Sequence, residues 1–144
     1  MQKSDDTTNN GQSNAADMPV IHAPPSKQHT TAGPYSPVLV VSPGKLVVIC
    51  GQAALDMDGK LVSEDFDAQA RTTLDNCLKQ LQFADCDMSD VFKVNVYLTD
   101  LADWPSFNEI YRGYMPEPRP VRTAIQSGLL HKFRVEVEMW AAKP

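Results

Sequence analysis

Two charged residues near the C-terminal end of the chain have side chains suited to act together. Arg122 lies in residues 120–123 and Glu136 in residues 134–138, and both stretches alternate apolar with polar side chains. This alternation predicts two strands, each with one buried face. If the strands pair, the guanidinium and the carboxylate face one small cavity. There the planar guanidinium would hold a substrate carboxylate, and Glu136 would position a water molecule and carry its protons.

Other residues and other roles compete with this interpretation. Arg122 could form a surface or interface salt bridge, and Glu136 could form a cross-strand ion pair. Glu138 shares the strand face of Glu136 and is its rival for the water. Cys50 would need a base to act as a nucleophile, and His131 is the one histidine beyond residue 31. We therefore expect Cys50 to be a buried thiol.

The composition fits one soluble globular domain. The chain has 144 residues, a formal net charge of −5 and 42% hydrophobic residues. The negative charge weighs against a general nucleic-acid binder, which needs basic residues to neutralise phosphates. Three cysteines without close spacing predict neither a disulfide framework nor a zinc site. With no membrane-spanning or secretory pattern in the sequence, we expect a cytoplasmic protein.

The first 31 residues are polar and lack periodic apolar positions, so we expect a disordered tail at 1–31 and a folded domain at 32–144. Within the domain, the apolar runs at 38–41 and 46–50 flank Pro43-Gly44, which predicts a hairpin. Residues 65–84 repeat apolar positions every three or four residues and predict a helix with Asp65 at its start.

The second half of the chain predicts three strands and one more helix. The strands cover about 92–98, 121–126 and 133–142, and the helix begins at Asp103, which is expected to cap it. The order ββαβαββ predicts an α/β two-layer sandwich, with two helices on one face of a mixed sheet. The other face, which carries Tyr97 and Trp140, would be open, and self-association is the simplest way to cover it.

Several short motifs, in this order and spacing, resemble the Rid/YjgF family of reactive-intermediate imine/enamine deaminases. The resemblance runs from about Ala32 to the C-terminus. Its motifs are Gly-Pro-Tyr-Ser at 33–36, Cys-Gly-Gln at 50–52, Gln69 with Asn76, the stretches 90–98 and 100–104, Asn-Glu-Ile-Tyr at 108–111, Arg-Pro-Val-Arg-Thr at 119–123, and Val-Glu-Val-Glu at 135–138.

The resemblance implies a chorismate-mutase-like fold and a homotrimer whose sheets form a central barrel, with active sites in clefts between subunits. It also implies hydrolytic deamination of 2-enamino and 2-imino acids, such as 2-aminoacrylate and 2-iminopropanoate, to 2-oxo acids and ammonia. No metal or organic cofactor is implied. The expected ligand is thus a small imino or oxo acid, and neither nucleic acid nor membrane is an expected partner.

The same resemblance assigns roles to individual residues. Arg122 would hold the substrate carboxylate, and Glu136 would lie near the attacking water. The remaining positions that the resemblance places at the cleft are Tyr35, Cys50, Gly51, Trp104, Asn108 and Ala124. Cys50 stands where the family usually has serine, and Ala124 where some members have cysteine. Phe107 and Tyr111 are expected to be packing residues.

Two other functions stay open at this point. The first is a non-catalytic sensor of small carboxylic acids or a partner-binding module, in which Arg122 is kept and Glu136 is dispensable. The second is ribonuclease activity or inhibition of translation, which the acidic balance disfavours. Substrate range also stays open, because Leu-Leu-His-Lys at 129–132 replaces the Leu-Pro-x-Gly turn of many family members.

Overall fold

The computed structural model describes residues 19–27, 29 and 33–144. The elements, in chain order, are β1 (Ile21–His22), β2 (Val40–Val41), β3 (Lys45–Gln52), α1 (Phe66–Phe83), β4 (Val91–Leu98), α2 (Trp104–Tyr114), β5 (Val121–Gln126) and β6 (Val135–Lys143). Both predicted helices and the three predicted strands of the second half are present, with bounds shifted by at most two residues.

The main sheet has the strand order β3-β6-β4-β5. Strand β6 runs antiparallel to both β3 and β4, and β4 runs parallel to β5, so the predicted mixed sheet is confirmed. Both helices pack on one face of this sheet. On that face the central strands bury apolar side chains such as Val94, Val96, Val137 and Met139, all of which are fully buried.

The predicted hairpin between residues 38–41 and 46–50 is wrong. Strand β2 pairs with β1, whereas β3 pairs with β6 at the far end of the chain. Val47 and Ile49 of β3 are buried in the core beneath the helices, so this strand must lie in the main sheet. Strand β1 falls in the segment predicted to be a tail. Residues 1–18 of that segment lie outside the described residues, so the predicted tail stays a prediction.

The two helices begin in different ways. The Asp65 side chain accepts a hydrogen bond from the Ala68 backbone N–H, which caps α1. Asp103 precedes α2 but makes no such bond, so its predicted capping role is wrong. Its carboxylate instead accepts two hydrogen bonds from Arg134 Nη2, at 2.9 and 2.8 Å. The ion pair ties the start of α2 to the loop before β6. The turn that leads into α2 is capped instead by Asp100, whose side chain accepts a hydrogen bond from the Ala102 backbone N–H.

The second face of the sheet carries no helix in the described part of the chain. It presents Leu46 and Val48 of β3, both more than half exposed, and Ile125 of β5, at 47%. Tyr97 and Trp140 lie on the same face and are partly buried. Among the described residues, no helix has the length and apolar character needed to cross a membrane.

Candidate functional site

Arg122 and Glu136 do not face one cavity within a single chain. Strand β4 lies between β5 and β6, so the two strands that carry these residues are not paired. Arg122 is in register with the buried Val94, on the helix-covered face. Glu136 is in register with Tyr97, on the open face. The predicted pairing is therefore wrong, and the chain contains two separate groups of candidate residues.

The first group surrounds the Arg122 guanidinium with aromatic rings. Its Cζ lies 4.7 Å from the ring centroid of Trp104, 4.5 Å from that of Tyr111 and 5.6 Å from that of Tyr35. Asn108 Oδ1 accepts a hydrogen bond of 2.8 Å from Nη2. Three of these partners lie on α2 at intervals of four and three residues, so one helix face carries them all. The rings hold the guanidinium plane in one orientation by stacking and cation–π attraction. We call these five residues the arginine pocket.

The Arg122 side chain is buried without a counter-ion. The residue is 9% exposed, and no acidic residue is paired with it in the described part of the chain. Nη1 has no hydrogen-bond partner among the described residues. Burial lowers the pKa of Arg122 from its usual value, with Tyr111 and Tyr35 acting in the opposite sense. A buried guanidinium with an unpaired N–H carries a desolvation cost that the protein does not offset, and a bound anion would offset it by supplying a hydrogen bond and an opposite charge.

Gly33 brings the backbone close to this guanidinium. A Cβ at that position would lie 2.6 Å from Arg122 Nη2 and 3.1 Å from Asn108 Oδ1. Any larger residue would therefore displace the pair. The Gly-Pro-Tyr segment at 33–35 therefore contributes to the pocket in two ways. Gly33 leaves room for the guanidinium, and the Tyr35 ring packs on it.

The second group lies at the other edge of the sheet, where β3 ends. The pairing of β3 with β6 shifts register between Ile49 and Gln52, which places a bulge at Cys50 and Gly51. A Cβ at Gly51 would overlap the Glu136 carboxylate. Cys50 is exposed, so its predicted burial is wrong. It lies opposite the buried face of β3 because strand residues alternate.

Glu136 and Glu138 differ in how they are held, although they share a face. Asn95 Nδ2 and Tyr97 OH both donate to Glu138 Oε1, at 2.9 and 2.7 Å. The Glu138 bond raises the pKa of Tyr97. No hydrogen bond to the Glu136 carboxylate occurs among the described residues. The Glu136 carboxylate therefore keeps free hydrogen-bond acceptors, whereas the Glu138 carboxylate is held by Asn95 and Tyr97.

The sequence predicted most of these positions, Ala124 among them, but not the role of Tyr111. Ala124 lies on β5, two residues beyond Arg122, and packs against the core at its edge. Tyr111 was expected to be a packing residue, yet its ring is the nearest of the three to Arg122. Its position three residues after Asn108 places both on one helix face, and that spacing was the signal available.

Phe107 is fully buried, as expected of a packing residue. His131 packs edge-on against Phe133, with ring centroids 5.4 Å apart. As for metal ions, the described residues contain no group of three or more His, Cys, Asp or Glu side chains arranged to hold one. The two groups together comprise a buried guanidinium with an unpaired N–H and a carboxylate that no hydrogen bond holds among the described residues.

Comparisons with known proteins identify the family. The model of the family described as Endoribonuclease L-PSP matches residues 25–143. The human 2-iminobutanoate/2-iminopropanoate deaminase is 37% identical over 108 residues, which are 74% of this chain and 77% of that protein. The mitochondrial protein mmf2 of Schizosaccharomyces pombe is 33% identical over 82% of this chain and 94% of its own.

Solved structures agree with these sequence matches. The crystal structure of RidA from an Antarctic Psychrobacter species is 34% identical and has a TM-score of 0.66. The match covers 79% of this chain and 92% of that one. Its mixed α+β fold is the one described above. The chain belongs to the Rid/YjgF family, which the matched model describes as Endoribonuclease L-PSP.

Proposed function

We infer that this protein is a deaminase that hydrolyses small 2-imino acids, and the 2-enamino acids in equilibrium with them, to 2-oxo acids and ammonia. The observation that carries this proposal is the buried Arg122, whose Nη1 has no partner among the described residues. The relatives named 2-iminobutanoate/2-iminopropanoate deaminase support the reaction class. The wider family also contains relatives with other names, so this activity has to be tested on this chain.

In the proposed reaction, the arginine pocket binds the substrate carboxylate. Nη1 donates to one carboxylate oxygen, while Asn108 and the rings fix the guanidinium. The positive charge beside the carboxylate draws electron density from the adjacent C=N bond, so its carbon becomes a better electrophile. Binding also holds that carbon in one place. Part of the entropic cost of orienting the substrate is then met on binding and no longer contributes to the activation barrier.

Glu136 acts on the water in this scheme. An enamine first takes a proton from solvent on its terminal carbon and becomes the protonated imine (iminium). Glu136 then accepts a proton from water as the oxygen attacks the C=N carbon. The resulting carbinolamine nitrogen takes that proton, the C–N bond breaks with its electron pair on nitrogen, and ammonia leaves. The hydroxyl proton is lost and the 2-oxo acid remains, so atoms and charge balance.

Two chains are needed to complete such a site. In one chain Arg122 and Glu136 lie on opposite faces of the sheet, separated by β4. The open face with Leu46, Val48 and Ile125 is a surface that a second copy would cover. We therefore propose a homotrimer whose sheets enclose a central barrel, with the arginine pocket of one subunit facing Glu136 of the next.

A coupled assay tests the reaction. A pyridoxal-phosphate dehydratase releases 2-aminoacrylate from serine, and semicarbazide traps the imine that forms from it. We expect added protein to lower the trapped fraction and to raise pyruvate in proportion to its concentration. Turnover that is independent of protein concentration, for this imine and for 2-iminobutanoate, would contradict the proposal.

A sensor of small carboxylic acids is the second candidate, since the arginine pocket alone supports binding. Calorimetric titration with 2-oxobutanoate separates the two functions. Binding that Arg122→Ala abolishes, together with no turnover, would identify a sensor. Binding together with turnover is the result that the deaminase proposal predicts.

A further inference from the structure

A cavity of about 450 Å³ opens beside Glu136 at the end of β3. Its walls are the flank of α1, the loop that follows β3 and the loop before β6. Gly51 and Glu136 form part of its lining. It is therefore continuous with the second group of candidate residues, but it extends well beyond them.

The rim of this cavity is apolar and exposed. Met57 is 96% exposed, Phe83 85% and Leu130 71%, and all three line the cavity together with Leu55 and Phe133. They are the three most exposed large apolar side chains in the described part of the chain. Three such side chains at one opening differ from apolar residues scattered singly over a surface.

The polar groups in the walls are mostly committed to holding the loops. Asn76 Nδ2 donates to the Ala53 and Leu55 carbonyl oxygens, both at 2.9 Å. Asp56 Oδ1 accepts from the backbone N–H groups of Asp58 and Lys60. Among the described ionisable residues that line the cavity, this leaves Glu136 and the exposed Lys79 without a partner.

We propose that this cavity receives the substrate side chain and makes the enzyme selective for 2-imino acids with a branched or extended apolar side chain. This inference rests on the proposed deaminase function. If the imine carbon lies at Glu136, the group attached to it continues into the cavity. A methyl group leaves most of 450 Å³ unfilled, whereas an isobutyl group removes apolar surface of Leu55, Leu130 and Phe133 from water.

The test compares three imines, which amino-acid oxidases of matching specificity generate from alanine, leucine and glutamate in the presence of catalase. We expect kcat/KM for the leucine-derived imine to exceed that for the alanine-derived imine by about tenfold or more. Equal values would overturn the inference. A clear preference for the glutamate-derived imine would also overturn it, because Lys79 would then set the selectivity.

Two variants locate the effect. Leu130→Asp and Phe83→Asp should lower the leucine-to-alanine ratio of kcat/KM by about fivefold or more, because a charge at the rim opposes apolar burial. Leu101→Asp is the matched control. Leu101 is exposed at 50% but does not line the cavity, so the ratio should not change. A ratio that Leu130→Asp and Phe83→Asp leave intact would show that the side chain binds elsewhere.

Light scattering tests whether a second copy of the chain, rather than a substrate side chain, occupies the rim of the cavity. If a second copy of the chain covered this rim, Leu130→Asp and Phe83→Asp would lower the mass of the assembly, and that result would overturn the inference. Failure of the proposed function is distinguishable, because the wild type would then turn over none of the three imines. Turnover of all three without a preference would refute only the side-chain assignment.

Discussion

The arginine pocket and the edge that carries Glu136 are built in opposite ways. Folding of one chain completes the pocket, with three rings and an amide around a buried guanidinium. The edge has a bulge, a glycine and a carboxylate that no hydrogen bond holds among the described residues. The group that we propose to bind an anion is thus fixed in one orientation by folding, while the group that we propose to exchange protons keeps free acceptors.

This contrast also explains why the two carboxylates of β6 are not equivalent. One oxygen of Glu138 accepts hydrogen bonds from Asn95 and Tyr97, which stabilises the open face. Glu136 keeps both oxygens without a hydrogen bond among the described residues, as its proposed role with water requires, and the glycine opposite it leaves room for its carboxylate. Four substitutions test the comparison, in decreasing order of expected effect.

Removal of the guanidinium should have the largest effect. Arg122→Ala is expected to lower kcat/KM for 2-aminoacrylate by about 100- to 1000-fold, because losing a buried charge partner costs about 2–5 kcal/mol. Arg112→Ala is the matched control, because Arg112 is an arginine of α2 whose exposed side chain pairs with Glu109 and lies outside the arginine pocket. Steady-state kinetics on both variants measure the difference. Equal losses would mean that Arg122 has no special role.

The two glutamates should separate by their effect on kcat. Glu136→Gln is expected to lower kcat by about 100-fold with little change in ligand binding, because the amide cannot accept the proton from water. Glu138→Gln is expected to change kcat by less than about threefold, since no proton transfer is assigned to it. The comparison requires both kcat and the Kd for 2-oxobutanoate. A larger loss in Glu138→Gln would reverse the assignment.

Gly51→Ala should act through Glu136. The added methyl group overlaps the carboxylate, so we expect kcat to fall by about tenfold as the carboxylate moves away from the water. Gly113→Ala provides the control, because nothing lies within 4 Å of a Cβ there. Gly113 is in α2, so its replacement should raise the free energy of unfolding by about 0.5–1 kcal/mol without changing kcat. Denaturant titration and kinetics measure the two effects.

The smallest effect is expected at Tyr111. Its hydroxyl is buried without a hydrogen-bond partner among the described residues, and burial raises its pKa. Tyr111→Phe keeps the ring on Arg122 and removes the unsatisfied hydroxyl. The free energy of unfolding should therefore stay equal or rise by up to about 1 kcal/mol, with kcat/KM within about twofold. A large loss of activity would mean that the hydroxyl itself contacts the substrate.

The helices could be predicted closely because their apolar spacing is local. Residues 65–84 repeat every three or four positions, and the observed helix covers Phe66–Phe83. Strand partners could not be predicted in the same way. Strand β3 pairs with β6, more than 80 residues later, and no local pattern distinguishes that partner from the adjacent β2.

The face on which Arg122 lies shows a second limit of sequence patterns. On β5, Val121 and Ile125 form the apolar side of the alternation, a pattern that predicts one buried face. The structure places Val121 and Ile125 on the open face and Arg122 against the helices. The pattern identified two faces correctly, but it could not show which one the helices cover. A buried arginine among aromatic rings depends on contacts between β5 and α2, which are distant in sequence.

The central claim is that Arg122 of one chain works with Glu136 of another. Arg122→Ala and Glu136→Gln chains, each inactive as its own assembly, are co-expressed with different tags, and the mixed assembly is purified through both tags. We predict that the mixture recovers activity, about a third of the wild-type value per site, because each mixed trimer with head-to-tail interfaces has one interface in three that joins an intact Arg122 to an intact Glu136. A mixed assembly of confirmed composition that stays as inactive as its parents would contradict the claim.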